Sequence, residues 1–514
     1  MKSDKLKRSL PVLVSVLITL SIYTGTLAIY LYASGWRIDF SNQSVRRTGV
    51  LTVKSSPTFA TIYIDEEAIG RTSKSTALDI GTYNIKVSKD GYYDWNKEVT
   101  IVEEKSTPIF PWLIMTEFES KIGFNSEKSL QKYWIDDTYN HLLLLLEDDS
   151  GYEFVHYDLN TEFWELGTNP TMILKLDNSD DEPISNLDIQ LSHSGELALL
   201  TVDNTMTSNK YIIPTNKISN YNTLENNLID LSEFSDYNIT WSLDSKYLLL
   251  ESESDVLSYD FNKDTKYLLM RKLNDKDKWT TDQEGFFYTF KHLETSEKDI
   301  LKYSLTQYKL DGSSLREVIP TVYFQNNTEY IQNYRSTGFD FSFFTNSPEC
   351  TQTIGIITQF SVNQKAKGVY IQTTQSTYWY DIVTGKYITV SPYPVELIEF
   401  SQDNDKLLLK NSTKYEIFTF DKEDGDHTVN IGAKDVENLL FDQIKNITWI
   451  SNSSYISFEE DNFIYIADKD GDNRTPLVNS ENVLYWTISK SREKLLTLMD
   501  TKEDGLQIII YTIH

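Results

Sequence analysis

The chain is 514 residues long, more than one hydrophobic core usually supports, so we expect several folding units or one large repeat architecture. Apolar residues make up 40% of the sequence and aromatic residues 13%, which excludes a wholly disordered chain. The net charge is −28, from 76 Asp and Glu against 48 Lys and Arg, so we expect no nucleic-acid partner. The single cysteine, Cys350, excludes an intramolecular disulfide and a cysteine-based metal site.

The first predicted element is a transmembrane helix over residues 9–36, which carry no charged side chain. A hydrocarbon core about 30 Å thick is spanned by about 20 helical residues. Basic residues precede this run, so we predict that residues 1–8 are a cytoplasmic tail and that the rest of the chain is extracytoplasmic. The sequence thus predicts a single-pass cell-membrane protein, with the membrane as a partner. The alternative is a cleaved signal peptide, but its apolar region would span only about 7–15 residues.

Residues 37–48 are interpreted as a linker, and residues 49–104 as a small β-domain. Within 49–104, short runs alternate apolar and polar side chains, as a half-buried strand does. Gly, Pro and Asp residues separate these runs and favour turns. The segment therefore predicts an antiparallel β-sandwich of short strands.

The residue spacing in this segment resembles the PEGA domain. The positions that carry the resemblance are Val53, Pro57, Ala60, Ile62, Tyr63, Ile64, Asp65, Gly70, Thr72, Gly81, Tyr83, Lys89, Gly91 and Tyr92. The sequence departs from the motif at Thr58 and Phe59, where the motif has Glu-Gly, and Thr72 is not followed by Pro. The resemblance implies a bacterial extracytoplasmic module of surface-associated proteins, without known catalysis.

Residues 107–514 contain a repeated unit. Each copy opens with an aromatic residue or Leu near a Ser or Asp, then a short turn and an apolar strand. A hairpin with Asp at its turn follows in most copies. Openings occur near residues 134, 191, 241, 279, 361, 400, 449 and 486. Repeats with several strands each are typical of β-propeller blades, so we predict eight blades, or seven because residues 320–360 are ambiguous.

The repeat is similar to those of the TolB-like and WD40-like propeller families, in a diverged form. The last copy ends at residues 508–511 without an outer strand. We predict that residues 112–117 supply that strand, since joining the first and last blades removes an exposed sheet edge. The predicted fold class is all-β: one N-terminal transmembrane helix, a small PEGA-like β-sandwich and a seven- or eight-bladed β-propeller.

Few motifs point to chemistry. Asp468, Asp470 and Asp472 have the spacing of a calcium loop, but the twelfth position is Ser480 instead of Glu, so we interpret them as a polar blade hairpin. The weaker copy formed by Asp421, Asp424 and Asp426 receives the same interpretation. Cys350, next to Glu349, is interpreted as a chance thiol in a loop. The six histidines are isolated in the sequence and are interpreted as packing residues of strands or turns: His141, His156, His193, His292, His427 and His514. No catalytic serine elbow, zinc-protease motif or phosphate-binding loop is present in the sequence. We predict no catalytic, cofactor-binding or metal-binding residues, and no cofactor.

Two functions follow from this architecture. The first is a membrane-anchored extracytoplasmic binding or scaffold protein of the bacterial cell envelope, which is not an enzyme and presents propeller loops to a protein or glycan. The alternative is a propeller enzyme, a hydrolase or lyase acting on envelope polymers. Such an enzyme would group two or more carboxylates in the central channel.

Overall fold

The structure is a computed structural model of the chain. It describes residues 15–27, 29–30, 36–39, 44–103, 105–136, 141–159, 170–177, 184–204, 207–215, 228–229, 231–234, 236–272, 277–282, 284–293, 300–313, 315–325, 357–363, 365, 367–383, 386–402, 404–411, 414–422, 429–440, 444–450, 454–489, 491–501 and 505–514. Contacts divide the chain into two compact units. One is Met1–Glu119 with Ile513–His514, and the other is Ser120–Thr512.

The N-terminal helix differs from its prediction. A helix covers residues 15–27, which at 1.5 Å per residue is about 20 Å long, against about 30 Å for a hydrocarbon core. In the described part of the chain, no helix combines the length and apolarity needed to span a bilayer. The prediction of a transmembrane helix over residues 9–36 is therefore wrong, and so is the single-pass membrane location drawn from it.

The first unit contains two four-stranded sheets around one apolar core. Its strands are β1 Trp36–Asp39, β2 Ser44–Val53, β3 Thr61–Ile64, β4 Glu67–Arg71, β5 Lys74–Asp79, β6 Gly81–Ser88, β7 Trp95–Ile101 and β8 Ser106–Ile109. One sheet has the order β1-β2-β5, with β8 parallel to β2, and the other has the order β4-β3-β6-β7. Leu51 and Val53 of the first sheet pack against Ile62, Ile85 and Val87 of the second.

The two outer strands of this unit lie outside the predicted β-domain of residues 49–104. Strand β1 and the start of β2 occupy residues that the sequence analysis assigns to a linker. Strand β8 follows residue 104 and pairs with Val50–Val53 of β2. These flanking residues show little alternation of apolar and polar side chains. They form strands because β2 offers backbone groups for pairing.

The second unit contains eight four-stranded sheets in its described residues, which we number as blades 1 to 8. Blade 1 consists of β10 Ser129–Ile135, β11 His141–Asp148, β12 Gly151–Asp158 and β13 Thr171–Asp177, and blade 2 of β14 Ile184–Leu191, β15 Leu197–Asn204, β16 Ser208–Pro214 and β17 Leu228–Ile229. Blade 3 consists of β18 Asn238–Trp241, β19 Leu248–Glu251, β20 Asp255–Asp260 and β21 Thr265–Arg271, and blade 4 of β22 Lys278–Thr281, β23 Phe286–Leu293, β24 Ile300–Lys309 and β25 Leu315–Gln325. A 3-10 turn, Ser232–Phe234, lies between β17 and β18.

Blades 5 to 8 follow the same order. Blade 5 consists of β26 Ile357–Asn363, β27 Gly368–Thr373, β28 Thr377–Asp381 and β29 Lys386–Ser391, and blade 6 of β30 Glu396–Phe400, β31 Lys406–Lys410, β32 Lys414–Lys422 and β33 Val429–Leu440. Blade 7 consists of β34 Ile444–Trp449, β35 Tyr455–Glu460, β36 Phe463–Asp468 and β37 Thr475–Asn479. Blade 8 consists of β38 Val483–Ile488, β39 Lys494–Thr501 and β40 Gly505–Thr512, together with β9 Glu119–Ser126. Each predicted opening lies within a first strand, and the count of sheets in the described residues favours eight blades over seven.

The packing of the sheets closes on itself. Apolar clusters join each of blades 1 to 6 to the next blade. A further cluster joins Leu496 and Ile508 of blade 8 to Leu142 and Leu144 of blade 1. Second strands such as Leu142–Leu146 are buried on both faces, which explains their unbroken apolar runs. Sequential four-stranded sheets in a closed ring form a β-propeller.

The outer strand of blade 8 is β9, so an N-terminal strand completes the last blade. The strand is not the predicted one at residues 112–117. Trp112, Leu113 and Ile114 are buried in the first unit, where Trp112 forms a bridge with Ser56. Their apolar side chains therefore serve the first core, and the next segment is left to pair with β40.

The first strands of the blades lie at the centre of the ring, because they contact one another across blade boundaries. The contacts are the Lys132–Asp188 ion pair (3.4 Å), Trp241 Nε1 to the Gln190 carbonyl (2.8 Å), Thr448 Oγ1 to Glu399 Oε2 (2.8 Å) and Tyr133 Oη to the Leu484 carbonyl (2.7 Å). We call the end of the ring at which the first strands begin the upper end. The turns between second and third strands lie at the same end, because each sheet is an antiparallel meander.

Candidate functional site

A cleft of about 760 Å³ lies between blades 2 and 3. Blade 2 contributes strands β14 to β17, and blade 3 contributes β18 with the segment that precedes it. The lining residues are Asp188, Ile189, Gln190, Leu199, Thr201, Ser208, Asn209, Lys210, Ile229, Leu231, Phe234, Tyr237, Asn238 and Ile239. We call this the interblade cleft.

The cleft exists because one face of blade 2 changes from apolar to polar along β15. Side chains two residues apart share a face of a strand. Ala198, Leu200 and Val202 pack toward blade 1, whereas Leu199 packs on the core of blade 3. The next position on the blade 3 face is Thr201, a polar side chain that packs less well against an apolar neighbour. The interface is thus closed by apolar packing near Leu199 and open toward the upper end.

A row of side chains crosses blade 2 at the level of Thr201. Strand register aligns Asp188 with Thr201, Thr201 with Lys210, and Lys210 with Ile229. Lys210 Nζ donates to Thr201 Oγ1 at 3.4 Å. Among the residues that the structure describes, no carboxylate oxygen lies within the 4.0 Å of an ion pair from Lys210 Nζ. Lys210 is therefore a half-buried cation in the cleft wall, with a hydroxyl group as its hydrogen-bond partner.

Two carboxylates lie in or next to this row, and both have partners other than Lys210. Asp188 pairs with Lys132 at 3.4 Å, but both side chains are about half exposed, so this pair contributes little to stability. The Asp203 carboxylate accepts hydrogen bonds from Ser208 Oγ (2.6 Å) and Asn186 Nδ2 (3.0 Å). These hydrogen bonds, together with the charge of Lys210, hold the pKa of Asp203 below its ordinary value. Asp203 is thus ionised and already engaged by donors of its own blade.

The opposite wall of the cleft is apolar and aromatic. Phe234 and Tyr237 pack edge to face with ring centroids 5.0 Å apart. Tyr237 Oη donates to Asp255 Oδ1 at 2.9 Å, which raises the pKa of the tyrosine. Lys266 Nζ lies 4.6 Å from the centroid of the Phe234 ring and makes a favourable cation–π interaction with it. Because these aromatic side chains are held by neighbours, the wall is preorganised.

Two histidines that the sequence analysis treats as isolated lie together in blade 1. His141 Nδ1 and His156 Nε2 are 2.9 Å apart and share a hydrogen bond, with ring centroids 5.2 Å apart. The backbone N–H of His141 donates to Asp136 Oδ1 at 2.6 Å. Burial, followed by the proximity of His141, lowers the pKa of His156 to about 4. The pair could have been found from the hairpin turn after Asp148, which aligns His141 with Asp158 and Leu143 with His156.

The Asp residues of the blade hairpins bind the backbone of their own turns. Asp282 Oδ1 accepts the N–H groups of Glu284 (3.0 Å) and Phe286 (2.9 Å). In the hairpin with calcium-loop spacing, the carboxylate contact is instead to a side chain: Asp468 Oδ2 accepts from Asn473 Nδ2 at 3.1 Å. Other turns repeat the pattern, with acceptors Asp260, Asp311 and Asp381. These carboxylates satisfy turn donors that would otherwise lack partners.

No group of three or more His, Cys, Asp or Glu side chains suited to a metal ion occurs within the described ranges. Several residues that the sequence analysis singled out lie outside those ranges, so their placement is not given. These are Glu349, Cys350, Asp424, Asp426 and His427.

The described first strands carry three carboxylates. Asp188 lies in blade 2, whereas Glu396 and Glu399 lie in blade 6, on the opposite side of an eight-membered ring. Glu396 Oε2 lies 3.9 Å from Lys410 Nζ. Glu399 accepts hydrogen bonds from Thr448 Oγ1 and the N–H of Trp449, and burial raises the pKa of Glu399 despite them. Glu399 thus links blade 6 to blade 7.

Comparison with known proteins identifies one family within the chain. The PEGA domain family matches residues 48–111, which confirms the resemblance seen in the sequence. No curated protein matches the chain. The PEGA match and the propeller together indicate a binding or scaffold module.

Solved structures match the chain at low similarity. A eukaryotic initiation factor is 13% identical, with a TM-score of 0.41, over 76% of this chain and 87% of that chain. The WD40 domain of SCAP from fission yeast is 11% identical, with a TM-score of 0.41, over 77% of this chain and 98% of that chain. Dipeptidyl peptidase 4 of Porphyromonas gingivalis is 10% identical, with a TM-score of 0.42, over 75% of this chain and 58% of that chain. Likenesses this distant say nothing about function.

Proposed function

We propose that this protein is a binding module and not an enzyme, and that its ligand occupies the interblade cleft. The observation that carries the proposal is the cleft itself. Its volume of about 760 Å³ lies within the range of small-molecule sites, about 300–1,000 Å³. Its walls combine an apolar, aromatic side with a few polar groups, which is the usual composition of a binding site.

The ligand belongs to a protein or a glycan rather than to a nucleic acid. A net charge of −28 repels phosphate backbones and offers no basic stripe. A cleft of this size accepts one or two side chains or sugar rings, and the remainder of the partner would rest on the loops at the upper end.

The arrangement of carboxylates supports binding over hydrolysis. Glycoside hydrolysis uses two carboxyl groups about 5–10 Å apart. Asp188 and the pair Glu396 and Glu399 lie on opposite sides of the described ring, and each has its own partner. One observation favours the enzyme alternative: the raised pKa of Glu399, a property of general acids. Replacement by glutamine would abolish turnover in that case, and in our account it changes only stability.

The proposal is tested with a fragment library and the full chain, by ligand-observed NMR. The variant Thr201→Trp fills the cleft, and Thr265→Trp places the same side chain on β21, outside the cleft. We expect a set of fragments to bind the wild type and Thr265→Trp but not Thr201→Trp. Fragments that bind all three proteins equally would place the ligand elsewhere and contradict the proposal.

A further inference from the structure

We propose that the group bound in the interblade cleft is a monocarboxylate attached to an apolar body, and that Lys210 binds the carboxylate. This inference rests on the proposed function, because it names the chemistry of the ligand for the same cleft. It is argued from the pairing of Lys210, from the charge around it and from the composition of the facing wall.

Lys210 differs from the other lysines near the cleft. In blades 1 and 3, lysines with a carboxylate partner are Lys132 with Asp188, Lys263 with Asp260, Lys266 with Glu233 and Lys272 with Glu251. Among the residues that the structure describes, the hydrogen-bond partner of Lys210 is the Thr201 hydroxyl, although acidic residues outnumber basic ones 76 to 48 in this chain. A half-buried ammonium group gains most from a partner of opposite charge, because water screens it less than at an exposed site.

The surrounding charge favours a ligand with a single negative charge. Among the described residues that line the cleft, Lys210 is the one basic side chain, and a phosphate monoester carries nearly two charges at neutral pH. Asp203 lies close enough to Lys210 for the two charges to interact, and it adds negative potential behind the row. Asp203 and the lining residue Asp188 repel a dianion about twice as strongly as a monoanion, so a single carboxylate is the better partner for Lys210.

The position of Lys210 relative to the apolar wall defines the rest of the ligand. Ile229 is the cross-strand neighbour of Lys210, and Leu231, Phe234 and Ile239 continue the apolar lining from there. A carboxylate at Lys210 therefore places its substituent against apolar side chains. Burial of that substituent supplies affinity, because it removes apolar surface from water, and the lysine fixes its orientation.

The test compares 3-phenylpropionate with 3-phenylpropionamide, which has nearly the same shape but no charge, on the full chain by isothermal titration calorimetry. We expect the acid to bind about tenfold more tightly than the amide, the ratio for one charge-assisted hydrogen bond. Lys210→Met should remove this preference and leave amide binding unchanged. Lys246→Met, which removes one charge at an exposed turn of blade 3, should keep the preference.

Each outcome separates this inference from the proposed function. A preference that persists in Lys210→Met, or equal affinities of the wild type for acid and amide, would overturn the role of Lys210. If neither probe binds while Thr201→Trp still removes library fragments, the ligand class is wrong and the cleft remains a binding site. A melting temperature of Lys210→Met equal to that of the wild type checks that the variant is folded.

Discussion

Acidification should destabilise blade 1 through the His141–His156 pair, and the structure gives the size of the effect. The side chain of His156 is 8% exposed, and its ring hydrogen-bonds to that of His141. Protonation would place a charge in a buried site next to a second imidazole, so the pKa of His156 falls to about 4. The nearby Asp136 and Asp158 offset only part of this effect.

The direction follows from proton linkage. In the unfolded chain a histidine has a pKa of about 6.5, above the folded value, so the unfolded state binds more protons between these two pH values. The contribution of His156 to stability is therefore complete above about pH 6.5 and is lost as the pH falls toward 4. Single-site linkage gives a loss of about 2 kcal/mol between pH 7.5 and pH 5.

The assay is urea unfolding of the wild type and His156→Gln at both pH values, followed by far-UV circular dichroism. The glutamine does not titrate, so the difference in unfolding free energy between the two proteins isolates His156 from other titrating groups. We expect this difference to shrink by about 2 kcal/mol on acidification. A difference that is the same at pH 7.5 and pH 5 would refute the assignment of a buried neutral histidine.

Three further predictions concern the fold. Ile508→Ala in β40 truncates a fully buried side chain between blades 8 and 1 and should lower the unfolding free energy in urea by about 2–5 kcal/mol. The control Ile122→Ala in β9, at a residue 59% exposed, should change the unfolding free energy by less than about 0.5 kcal/mol. Gly368→Ala should lower the melting temperature, because the added Cβ would lie 2.0 Å from the Trp379 ring; an unchanged value would contradict that close approach. Asp282→Ala should cost about 2–3 kcal/mol in urea unfolding through two orphaned turn N–H groups, and a neutral effect would show that they have other partners.

Much of the propeller could be predicted from the sequence because its second strands are buried on both faces. An apolar run such as Leu142–Leu146 between turn residues marks one blade, and the spacing of such runs gives the count. The closing strand could not be predicted in this way. Residues 112–117 have the stronger apolar pattern, but the first unit buries Trp112–Ile114, and the polar β9 pairs instead.

The interblade cleft could not be predicted from the sequence, for a different reason. The sequence of β15 starts with an apolar run, but it does not say which face meets which blade, so the change from Leu199 to Thr201 carries no signal by itself. The importance of Lys210 appears only when register places it beside Thr201 and Ile229. The transmembrane helix was predicted wrongly although its sequence pattern is strong. Residues 9–36 carry no charge, but the described helix covers only residues 15–27.

The most direct test of the interblade cleft as the binding site is a crystal structure of the full chain with 3-phenylpropionate. The account predicts the carboxylate within hydrogen-bond distance of Lys210 Nζ and the phenyl ring against Phe234 and Ile239. A structure with the ligand bound elsewhere on the chain, and the space between blades 2 and 3 filled by water alone, would contradict it.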